Sequence, residues 1–98
     1  MAFEQELAIY DALQAEQDAA SEAWNTAFPR DPAWPMGLAP DSVRFSPEYR
    51  ACKARYERAA AKTRAFVPGF IKRWKKEYRI MLAERRDARR QAALAKKD

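Results

Sequence analysis

Cys52 is the only thiol in this 98-residue sequence, and there is no histidine to take a proton from it or share a metal with it. One cysteine makes neither an intrachain disulfide nor a zinc cluster. Cys52 falls on the apolar face of a predicted helix, where an inert buried thiol is the better reading than a nucleophile. The three serines, Ser21, Ser42 and Ser46, have no base or strained elbow beside them. Gly37 and Gly69 stand alone, so no glycine-rich loop cradles a phosphate. The acids near the start are better read as a solvated face than as a divalent-ion site. The inventory therefore predicts no enzyme, no metal, no cofactor and no small-molecule substrate.

The chemistry that remains is binding, and its signal is charge. Residues 1–28 carry six acids (Glu4, Glu6, Asp11, Glu16, Asp18 and Glu22) and neither Lys nor Arg. Residues 29–45 are balanced, with Arg30 and Arg44 against Asp31 and Asp41. Residues 46–98 hold seventeen basic and six acidic side chains, a local balance of +11 within a net +5. Arg55, Arg58, Lys62, Lys72, Lys76, Arg79, Arg86 and Arg90 recur along this segment in helical register, and Arg50, Lys53, Arg64, Arg73, Lys75, Arg85 and Arg89 broaden the surface. Few have an acid at the helical neighbour distance; Lys53–Glu57 is one pair, and Asp87 can reach Arg90. An unpaired cationic row suits nucleic acid, because each phosphate contact releases a counterion. The site expected to meet nucleic acid, or an acidic protein surface, is Lys72, Arg73, Lys75, Lys76, Arg79, Arg85, Arg86, Arg89 and Arg90. A solvated face kept soluble by its charge is the plainer alternative. GFIKRWKKEYRIM at 69–81 also fits a membrane-surface or calmodulin-target helix, although its aromatics continue a longer apolar stripe.

The elements that position these groups follow from periodicity. Residues 3–28 read as an acidic amphipathic helix, with Phe3, Leu7, Ile9, Tyr10, Leu13, Ala20, Trp24 and Phe28 forming its apolar side. Pro29 ends it. Residues 29–45 contain four of the six prolines and read as a connection, ordered against the helices by Trp34, Met36, Leu38, Val43 and Phe45. Ser46 as cap, Pro47 at the first position and Glu48 near the dipole's positive end start a second helix. Its apolar stripe runs Tyr49, Cys52, Tyr56, Ala59, Thr63, Phe66, Phe70, Trp74, Tyr78 and Met81, every step being three or four residues.

That stripe keeps its phase across Pro68-Gly69, which favours one long basic helix over 47–92, kinked there, over a helix–turn–helix broken there. The expected architecture is one small all-α domain over 1–98. Trp24, Trp34, Phe66, Phe70, Trp74 and Tyr78 are expected to pack together or anchor a partner. The first helix spans at most ~40 Å and the long one ~70 Å, so part of the stripe is left uncovered and a homo-oligomer or partner groove is expected. There is no apolar run of the ~20 residues needed to span a bilayer and no signal peptide at the start, so a cytoplasmic location is expected.

FSPEYRACKARYERA, followed by RAFVPGFIKRWKKEYR and AERR, resembles small uncharacterised proteins encoded by bacteriophages and prophages, over roughly residues 45–86. The resemblance implies context: such proteins bind nucleic acid, inhibit a host or defence complex, or serve as minor virion or assembly components. It places the chain in the host cytoplasm, or in the virion if it is structural.

Overall fold

The structure, a computed structural model, describes residues 2–96. The chain is all-α, as expected, and there is no strand among the described residues. Helix α1 spans Phe3–Ala27. Ala2 has no side-chain acceptor for the opening amides, and Gln5 instead accepts the Ala2 N–H through Oε1 at 3.0 Å. Phe28, just before Pro29, leaves helical geometry at φ −131°, ψ 73°. The connection carries a single 3-10 turn at Pro35–Gly37 and a one-turn helix α2 at Asp41–Arg44.

Helix α3 covers Pro47–Arg73, and its start matches the sequence signal: Ser46 Oγ accepts the Tyr49 N–H at 3.2 Å. The predicted interruption at Pro68-Gly69 is not where the helix breaks. Both residues lie inside α3, and the break falls at Trp74 (φ −129°, ψ 42°), after which α4 runs Lys75–Ala95. A proline weakens a helix by removing one backbone donor. Here packing outweighs that loss: Phe66 and Phe70, one turn apart on α3 and on either side of the pair, are stacked with ring centroids 5.4 Å apart, and Phe70 is anchored across to α1 and α4. Phe70 is fully buried, with Phe3, Tyr10 and Tyr78 rings also 5.2–5.8 Å away. The break is a single residue wide. Trp74 N–H still reaches the Phe70 carbonyl, and Tyr78 N–H reaches that of Trp74.

α1 and α3 form an antiparallel hairpin. Trp24 and Phe28 meet Tyr49 and Tyr56 at one end, while Phe3 and Tyr10 meet Phe70 at the other. A straight continuation of α3 would carry residue 85 beyond the start of α1. Instead Arg85 binds Asp11, so α4 turns back obliquely over α1. Met81 is the last buried residue of α4, and every residue from Glu84 to Lys96 is exposed. The result is flat and open, 48 × 41 × 19 Å. Its radius of gyration is 17.8 Å, against about 13 Å for a compact chain of this length.

Candidate nucleic-acid interface

Three carboxylates of α1 each hold one arginine of the basic segment. Glu16 takes Arg55 through two bonds of 2.9 and 3.0 Å. Asp11 takes Arg85 through two of 2.8 and 3.0 Å. Glu6 is only 6 % exposed and receives Arg73 Nε at 2.8 Å, together with a second contact from Arg73 Nη2. Its other oxygen accepts the Trp74 indole N–H at 2.6 Å. The bidentate pairing at Glu16 and Asp11, two nitrogens on two oxygens, suits the planar guanidinium, while at Glu6 both Arg73 nitrogens share one oxygen. Hydrogen bonding from the arginine, first of all, holds each carboxylate below its ordinary range; for Glu6 the Trp74 indole adds to the effect.

The Glu6 cluster sits at the helix break and accounts for it. The sequence around Trp74, IKRWKKEY, contains no glycine or proline. Residues 73 and 74 are instead drawn toward one buried anion on α1. Gly69 assists from one turn away. A Cβ placed there would lie 2.9 Å from Arg73 Nη1, so the missing side chain leaves the guanidinium its path across the helix. Sequence reasoning missed Glu6 as a partner. The available signal was register, since Glu6 falls among Phe3, Leu7 and Tyr10 on the apolar side, where an acid requires a buried donor.

Two of the nine cations expected to bind outward, Arg73 and Arg85, are thus engaged by α1. The other seven, Lys72, Lys75, Lys76, Arg79, Arg86, Arg89 and Arg90, are exposed and make no ion pair among the described residues. At ~100° per residue, Lys75, Lys76, Arg79, Arg86 and Arg90 share about a third of α4's circumference. That third lies opposite the packed side marked by Tyr78 and Met81; Lys72, on α3 before the break, is exposed about half a turn from the buried Phe70. The acids of α4, Glu77, Glu84 and Asp87, lie on a flank with Ile80, outside this row.

The aromatic residues are used within the chain. Trp74 is half-buried beside Phe3, with centroids 5.7 Å apart, and Tyr78 stands edge-on to Tyr10 and Phe70. Burial, then a hydrogen bond with Tyr10, pushes the Tyr78 phenol up. Trp24 packs on Tyr49 and Tyr56 at the opposite pole, where Trp34, Phe28 and Arg30 help line a cleft of about 340 Å³. Cys52 is half-buried. The expected Lys53–Glu57 contact is present at 4.0 Å, with both side chains more than half exposed. No described helix is long and apolar enough to cross a membrane. No family model matches the sequence, and neither the curated proteins nor the solved structures give a match.

Proposed function

We propose that this chain is a non-enzymatic, phage-type accessory protein that binds nucleic acid, or a complex bearing it, through the cationic face of α4. The observation that carries the reading is the set Lys72, Lys75, Lys76, Arg79, Arg86 and Arg90, exposed and in no ion pair among the described residues after α1 has taken three other arginines. Arg89 stands at its margin. Burial of Phe70 and packing of Trp74 and Tyr78 against α1 leave phosphates, rather than bases, as the contacted groups. Backbone contacts carry little sequence information, so duplexes of different sequence bind alike.

The test is fluorescence anisotropy with labelled duplex and single-stranded oligonucleotides across a salt series. Affinity should fall steeply as salt rises, and Lys75→Glu with Arg79→Glu should weaken binding to all sequences and flatten the salt slope. Undetectable binding at low salt overturns the reading.

A second reading, docking to another protein, is favoured by a different observation. Met36 is 94 % exposed, and Leu38 and Phe45 are each more than half exposed. Beside the half-buried Trp34 they give the connection an apolar outer surface suited to anchoring a partner. A hetero-complex stable at high salt and lost with Met36→Asp would establish it.

A further inference from the structure

The packed side of α4 does not end where its packing ends. Trp74, Tyr78, Met81 and Arg85 face the hairpin, in steps of four, three and four. The same register continues through Ala88, Ala92 and Ala95, all exposed. This is a heptad seam, the spacing that sets one helix along another, and alanines on it allow close approach. Where α4 diverges from α1, the two helices enclose a notch of about 510 Å³. Tyr10, Leu82 and Ala88 contribute its apolar lining, while Asp18 and Arg89 bring opposite charges to it.

The electrostatics specify the occupant. Asp18 and Glu22, one turn apart on α1, are exposed and make no ion pair among the described residues. Arg89 and Lys96 flank the alanine seam and are exposed. We infer that the notch is filled by the α4 arm of a second copy of this chain, in a two-fold dimer. Each arm lays Ala88, Ala92 and Ala95 against the other, and Arg89 and Lys96 of each meet Asp18 and Glu22 of its partner. Two-fold symmetry makes both contacts at once, and the acidic helix of one copy is matched to the basic arm of the other. The row from Lys75 to Arg90 lies on the far side of α4 and stays open in the dimer, so this inference does not depend on the nucleic-acid reading.

The mass in solution tests it, measured by light scattering at low salt on the nuclease-treated 98-residue chain. The wild type should run at twice 11.3 kDa. Asp18→Arg with Glu22→Arg, and separately Arg89→Glu with Lys96→Glu, should each raise the dimer dissociation constant about tenfold or more. Mixing the two reversed proteins should restore the dimer, because every contact in the mixed pair is again between opposite charges. Ala92→Arg, at an exposed position that leaves the fold intact by circular dichroism, should give a monomer. A wild-type monomer at the highest attainable concentration overturns the proposal. So does a dimer indifferent to these changes, one that needs nucleic acid to form, or reversed variants that fail to recover on mixing.

Discussion

Glu6 is an acid in an apolar register, and its two oxygens are used by two different neighbours, the Arg73 guanidinium and the Trp74 indole. Its carboxyl is held below the ordinary value of 4.5 by those bonds, first of all by Arg73. Lowering of the folded value means that its contribution to stability is present above about pH 4.5. That contribution is lost as pH falls through the lower, folded value. Asp11 and Glu16 act in the same direction through Arg85 and Arg55. Thermal melts between neutral pH and pH 3 should therefore show falling stability on the acid side, and Glu6→Gln should make that fall shallower while lowering the melting temperature at pH 7. An unchanged acid limb in Glu6→Gln would show that this carboxylate is not the linked group. At this scale much of the site was legible, since exposed cations can be counted from sequence. Which arginines are held internally was not, because partners 39, 67 and 74 residues apart leave no local mark.

Among the elements, α1 and the start of α3 could be read from apolar spacing, the Ser46-Pro47 start and Pro29. The position of the break could not, because residue preference and tertiary contact point to different places. Preference marks Pro68-Gly69; the contact with Glu6 marks Trp74. Pro68 therefore remains in the helix without a backbone donor, exposed to solvent. Replacing it with alanine supplies that donor and removes a clash, together worth about 3 kcal/mol, while loosening the unfolded chain gives back up to about 1 kcal/mol. Pro68→Ala should thus stabilise the protein by about 2 kcal/mol in urea unfolding. A loss of stability would mean that the proline's shape is needed in the groove it lines with Val67, Thr63 and Gln17.

For the whole molecule, the opening between α4 and the hairpin is set at two points, Glu6 with Arg73 and Trp74 at the pivot, and Asp11 with Arg85 farther out. At the outer point both side chains are more than two-fifths accessible, whereas at the pivot the Glu6 carboxylate is buried. Arg85→Ala should keep the helix content by circular dichroism but let the arm swing. Small-angle scattering, at dilutions where the chain is monomeric, should then give a larger and broader size distribution than the wild type's. An unchanged profile would assign the opening to the pivot and the apolar packing around Met81. The overall shape was only partly legible in the sequence: an uncovered length of basic helix was expected, but its turn back across α1 depends on these long-range pairs. The expected uncovered length persists despite the break, because it is now the arm itself, exposed from Glu84 to Lys96.

The pivot also has an optical consequence. Trp74 is the only one of three tryptophans at the break, and its indole N–H is tied to a carboxylate that titrates. With Trp24 and Trp34 replaced by phenylalanine, emission colour and quenching from the remaining indole would report the state of that joint directly. The molecule thus carries an intrinsic gauge of its own opening, readable in dilute solution without any attached dye.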